Sequence, residues 1–186
     1  MAGGTEFGDG GKADRFKQLA LPHLDAVYTL ARYLMRNRSD ADDAVQECYL
    51  RAFRYFDTFH GGQIKPWLLA ILRNVCHSAY SENARLVYGE EASDDDPVDP
   101  VWREQGETPE QTVMRRSETE TMRKLISRLP AEFREIIVLR EINDLSYRDI
   151  AGVIEVPIGT VMSRLARARG MLRDAWIAVE GGSMRR

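Results

Sequence analysis

The chain has 186 residues, 44% of them hydrophobic and 30% charged, with a formal net charge of −3. That composition fits one globular domain or two small ones and excludes a collagen-like or wholly disordered chain. No apolar run approaches the ~20 residues that span a bilayer, the start carries no secretory pattern, and two cysteines without framework spacing suit a reducing cytoplasm, which is the expected location.

The charge is uneven. Residues 89 to 110 hold nine acids against one arginine, a net −8; taken from −3 overall, this leaves the rest of the chain at +5. Residues 1–11 are glycine-rich and aperiodic and read as a disordered tail. From Ala13 to Arg36, Phe16, Leu19, Ala20, Leu24, Val27, Tyr28, Ala31 and Leu34 keep to one broad helical face, with Pro22 as a break or kink.

Ser39 or Asp40 is expected to cap the next helix, which runs to about Phe56. Its apolar arc holds Ala44, Val45, Cys48, Tyr49, Ala52, Phe53 and Phe56. The other arc holds Asp43, Gln46, Glu47, Arg51 and Arg54, with Leu50 among them. An apolar residue inside a mixed-charge face marks either a protein-docking spot or a stray exposed leucine, and this helix alone does not separate the two.

Asp57 to Lys65, with Gly61 and Gly62, reads as a loop, and Pro66 as the first residue of a helix reaching about Glu82. Leu68, Leu69, Ile71, Leu72, Val75, Cys76 and Ala79 form its buried side. Ala70, Arg73, Asn74, His77 and Ser81 lie opposite, with Trp67 at the margin. An aromatic, a cation and polar groups together suit unpaired bases and their backbone. A packed tryptophan beside solvated polar groups is the alternative reading of the same pattern.

Residues 87–111 are acidic, contain Pro97, Pro100 and Pro109, and read as a flexible linker in which Trp102 makes a local contact. Met114, Met122, Leu125, Ile126 and Leu129 then make one helix ending at Pro130, and Phe133, Ile136, Ile137 and Leu139 make another. A short helix from a Ser146 cap to Ile154 follows, broken by Glu155, Val156 and Pro157. The last helix starts near Ile158 and buries Val161, Leu165, Ala168 and Leu172. Its far side carries Met162, Ser163, Ala166, Arg167 and Gly170, with Arg164, Arg169 and Arg173 flanking. Small residues beside arginine let a helix approach base edges in a groove, so the pair reads as a helix-turn-helix. Residues 179–186 are expected to be a disordered tail.

No catalytic residue emerges. Cys48, Cys76, His23, His60 and His77 are the soft metal candidates, and none falls in a CxxC or HExxH spacing. No metal, cofactor or enzymatic activity is expected.

Together, three stretches resemble the extracytoplasmic-function (ECF, group IV) sigma factors of bacterial RNA polymerase. DADDAVQECYLRAF is similar to the family's second-region helix, which docks on the polymerase clamp. PWLLAILRNVCHSAYSENAR resembles its promoter-melting and −10-reading helix, and LPAEFREIIVLREINDLSYRDIAGVIEVPIGTVMSRLARAR resembles its fourth region. The resemblance implies an all-α fold of two small helical domains. An N-terminal helical bundle over 12–86 and a C-terminal four-helix domain with the helix-turn-helix over 112–178 would be joined by the acidic linker 87–111.

It further implies that Asp43, Gln46, Glu47, Leu50 and Arg51 contact the clamp helices of the largest polymerase subunit. Trp67, Arg73, Asn74, His77 and Ser81 would face −10 DNA, and the loop Thr58 to Lys65 would hold a flipped base. Thr160, Met162, Ser163, Arg164, Ala166, Arg167 and Arg169 would serve the −35 element, with Arg148 on phosphate. Met162 departs from the Lys or Arg of many members, and Ser78 from a frequent Asp. The implied partners are core RNA polymerase, through its clamp helices and flap, promoter DNA and an anti-sigma factor, with no membrane insertion. The implied function is promoter specificity in transcription initiation. A one-component transcription regulator is the rival; it accounts for the helix-turn-helix but not for the clamp-like helix.

Overall fold

Small residues spaced three and four apart decide how the N-terminal helices meet. The computed structural model describes residues 9–35, 37–86 and 109–183, and among them every regular element is helical. Residues 1–8 of the expected tail over 1–11, the acidic stretch 87–108 with Trp102, and residues 184–186 lie outside the described residues.

The first compact unit holds α1 (Asp9–Ala20), a 3-10 turn (Leu21–His23), α2 (Leu24–Leu34), α3 (Arg38–Arg54), a second 3-10 turn (Phe56–Thr58) and α4 (Ile64–Leu86). Beside Val45, the small residues Ala41, Ala44, Cys48 and Ala52 make up the buried side of α3. Their size lets α4 come close: the Cys48 thiol lies 3.5 Å from the Leu68 carbonyl oxygen. Leu30, Leu68, Leu69 and Leu72 have no exposed surface, and each such burial is worth about 1.5–3 kcal/mol.

Several expectations are corrected here. Leu19 and Leu24 are exposed, not buried. The 3-10 turn around Pro22 advances three residues per turn, so it shifts the phase of α2 from that of one continuous helix. Asn37, rather than Ser39 or Asp40, caps α3; its side-chain oxygen accepts from the Asp40 backbone N–H at 2.8 Å. α1 already begins at Asp9, inside the expected tail. α4 begins at Ile64, so Pro66 sits third, still inside the first turn where no N–H is missed.

The second unit holds α5 (Pro109–Ser127), α6 (Ala131–Ile137), a π-helical turn (Val138–Ile142) and α8 (Ile158–Ser183), with α7 (Tyr147–Ile154) leading into α8. α5 starts at Pro109, within the expected linker, because proline suits a helix's first position. α8 continues to Ser183, into the expected tail; half-buried Leu172, Ala175 and Trp176 carry it toward Gly181 and Gly182. α6 packs on α8, and Ile136, Ile137, Val161, Leu165 and Ala168 are buried. The π turn is closed by the Asn143 N–H on the Val138 carbonyl at 2.9 Å.

Candidate nucleic-acid and protein interfaces

The polar arc of α3 carries one large apolar side chain in the open. Leu50 is 64% exposed. Asp43 and Gln46 are exposed beside it, and half-buried Glu47 and Arg51 form an ion pair one helical turn apart. The Tyr49 hydroxyl donates to the Ala20 carbonyl at 3.0 Å, tying the turn after α1 to α3 next to Leu50. Leu21 and Leu24 around that turn are exposed as well; the periodicity gave no sign of them because it ran through Pro22.

At the start of α4, Trp67 is half-buried and lies against Phe59, ring centroids 5.2 Å apart. Phe59 stacks on Phe56 at 6.2 Å, and Phe56 meets Phe16 of α1 edge-on at 5.2 Å. Trp67 therefore ends an aromatic file instead of standing alone at a helix margin. Along α4, Asn74 and His77 are exposed and Arg73 is half-buried. Ser81 continues the same helix, but its side chain lies outside the described residues. Gly61 and Gly62 have φ of 97° and 92°, which only glycine adopts at ease, and they turn the loop before α4. Lys12 and Arg15 of α1 also reach this end of the unit, which no sequence signal indicated.

The helix-turn-helix is fixed from both ends. Ser146 caps α7: its oxygen accepts the Asp149 N–H at 3.1 Å. α7 stops at Glu155, whose left-handed φ of 55° turns the chain, and the Thr160 N–H then bonds the Pro157 carbonyl at 2.9 Å as α8 begins. Val161, Leu165 and Ala168 are buried, so Met162, Ser163, Ala166 and Arg167 are left exposed on the other side, with Thr160 half-buried and Arg148 exposed on α7. The flanking arginines are engaged within the unit: Arg164 pairs with Glu132 at 3.3 Å and Arg169 with Glu141 at 2.7 Å. The hydrogen bond that it donates to Glu141 is the main reason the Arg169 guanidinium is held above its ordinary pKa. Sequence reasoning missed both acids, since neither lies on the same helix as its arginine.

Two family patterns match the chain in order: Sigma-70 region 2 over residues 19–86 and Sigma-70 region 4 over residues 119–172. The ECF RNA polymerase sigma factor EcfG of Rhodopseudomonas palustris is 35% identical over 169 residues, covering 90% of this chain and 88% of that one. This chain is an ECF RNA polymerase sigma factor. The ECF sigma factor SigE of Mycolicibacterium smegmatis is 33% identical over 170 residues; the match takes in 90% of this sigma factor and 63% of that longer relative. In structure it is similar to the sigma factor RpoE of Bartonella quintana, seen in complex with the anti-sigma factor NepR. The TM-score is 0.69 at 29% identity, covering 87% of this chain and 96% of that one.

The region 2 match takes in α2, α3 and α4, and the region 4 match contains α6, α7 and most of α8. Among the described residues no helix is long and apolar enough to cross a membrane, and no group of three or more His, Cys, Asp and Glu could hold a metal ion.

Proposed function

We propose that this sigma factor binds core RNA polymerase and directs it to promoters, reading a −35 and a −10 element and helping to open the DNA. The observation that carries the reading is the pairing of two matched regions in one chain, each with its own exposed face. In the unit over 12–86, Leu50 with Asp43, Gln46, Glu47 and Arg51 docks on the polymerase clamp. Trp67, Arg73, Asn74, His77 and Ser81 meet the −10 strand, and the stretch from Thr58 to Lys65, whose last two residues open α4, receives a flipped base. In the unit over 112–178, Met162, Ser163, Ala166 and Arg167 enter the −35 major groove, with Thr160, Arg164, Arg169 and Arg148 around them. For Arg164 and Arg169 this requires leaving Glu132 and Glu141, so their part is backbone anchoring rather than base reading.

The chain itself does no chemistry in this reading; it supplies specificity in the cytoplasm to an enzyme that does. The Bartonella quintana neighbour is bound to an anti-sigma factor, and we extend that mode of control to this chain: a partner holding both units competes with core polymerase and gains avidity over either unit alone.

The reading is tested by footprinting promoter DNA with and without core polymerase. Protection of both elements that requires core supports it. Equal protection by the chain alone on a palindromic site favours the one-component regulator.

A further inference from the structure

α1 lies almost wholly outside the region 2 match, which begins at residue 19, yet it walls a recess beside the loop that precedes α4. The recess measures about 550 Å³, with Lys12 and Arg15 on one side and Phe56, Asp57, Phe59 and Gly61 on the other. The Lys12 ammonium is 2.6 Å from the Asp57 carboxylate and 5.2 Å from the centre of the Phe53 ring. Its side chain is 23% exposed, against 74% for Asp57. The cation is therefore held in place, and its acidic partner stands mostly in water. Arg15 lays its guanidinium 5.6 Å from the centre of the Phe56 ring.

The flat guanidinium of Arg15, backed by buried Phe56, and the half-buried ring of Phe59 offer stacking surfaces to a base, and the two cations suit the phosphate attached to it. A base within a duplex cannot enter such a recess without leaving its stack. We propose that Lys12 and Arg15 of α1 form a phosphate-binding site for one unpaired DNA nucleotide whose base occupies the recess, with Asp57 as the counter-ion that the phosphate displaces. The proposal rests on the reading of this sigma factor as a promoter-opening subunit. It adds α1, which the family pattern does not cover, to the surface that captures the opened strand.

The displaced counter-ion gives the test its sign. Lys12→Gln removes attraction for the phosphate, whereas Asp57→Asn removes its competitor. The two variants must therefore shift affinity in opposite directions. A bridge that only fastens α1 predicts the same direction for both.

The experiment measures Kd of the holoenzyme, full chain plus core polymerase, for a bubble template with an unpaired −10 strand, over a range of salt. Lys12→Gln is expected to weaken binding roughly two- to fivefold, the factor that a pair as exposed as this can span, and to make the salt slope shallower by ~0.7. Asp57→Asn is expected to tighten binding by a similar factor, and the gain should vanish when Lys12→Gln is also present. Asp57 is too exposed for its amide to disturb folding, so that arm is readable even if Lys12→Gln loosens α1. Asp57→Asn binding no tighter than wild type overturns the proposal. If the wild-type holoenzyme itself fails to prefer the bubble over a fully paired template, the promoter-opening reading fails instead.

Discussion

Arg169 on α8 donates to a single carboxylate oxygen of Glu141, from Nε at 3.0 Å and from Nη2 at 2.7 Å, across 28 positions of sequence. Arg167, two residues earlier, is exposed on the opposite side of the helix. The two arginines should therefore behave differently. Arg169→Ala should cost the fold only about 0.2–1 kcal/mol, because the pair is half exposed and screened by water. It should weaken matched and scrambled −35 DNA alike. Arg167→Ala should remove about 1–3 kcal/mol of discrimination between them, the range of a bidentate base contact. Holoenzyme affinity for the two DNAs measures both; discrimination lost with Arg169 and kept with Arg167 would reverse the assignment.

The two buried cysteines should be slow to react. Burial first, and then the neighbouring Cys76, pushes the Cys48 thiol up to about 12 from an ordinary 9.0, with Arg51 opposing. At pH 8 the thiolate that alkylating reagents need is scarce in the folded state. The linkage has a definite sign. The folded thiol holds its proton at pH values where the unfolded one has lost it, so this contribution is fully present below pH 9.0 and is lost as pH rises from 9.0 toward 12. Iodoacetamide labelling should follow global unfolding by denaturant, and stability should decline above pH 9. Rapid labelling of Cys48 in the folded chain would contradict its placement.

Glu155 should be replaceable with profit to the fold. A non-glycine residue at φ 55° ends α7, and the left-handed region costs such residues about 1–2 kcal/mol. Glycine relieves that strain but loses about 0.5–1 kcal/mol to the flexible unfolded chain. Glu155→Gly is therefore expected to raise stability by about 0.5–1 kcal/mol, read as a higher denaturation midpoint. A lower midpoint would mean that the glutamate side chain holds the turn.

Much of this was legible before any coordinates. Leu50 could be placed outside because it interrupts a run of charges, and Val161, Leu165 and Ala168 recur at helical spacing against a basic, small-residue face. Ser146 stood three residues before Asp149, in position to cap α7. What stayed hidden has physical reasons. The π turn at Val138–Ile142 uses the same apolar residues as an α-helix would, so its extra residue leaves no mark in the pattern. The partners of Arg164 and Arg169 come from other elements, and pairing across a fold has no local signature. Lys12 and Arg15 sit on a helix whose first residues looked like a tail, and the recess they wall exists only once α1 is laid beside Phe56.

The central claim is that the chain makes core polymerase promoter-specific through the α3 face, and run-off transcription tests it most directly. Purified core polymerase is mixed with the wild-type chain or Leu50→Arg on a library of promoters, and transcripts are counted by sequence. Leu50 is 64% exposed, so Leu50→Arg should keep wild-type helicity and melting temperature. The wild-type chain should select templates sharing a −35 and a −10 element, and Leu50→Arg should lower their yield roughly tenfold or more, as loss of an interface anchor does. Full transcription by Leu50→Arg, or no promoter selection by the wild-type chain with core, would contradict the account.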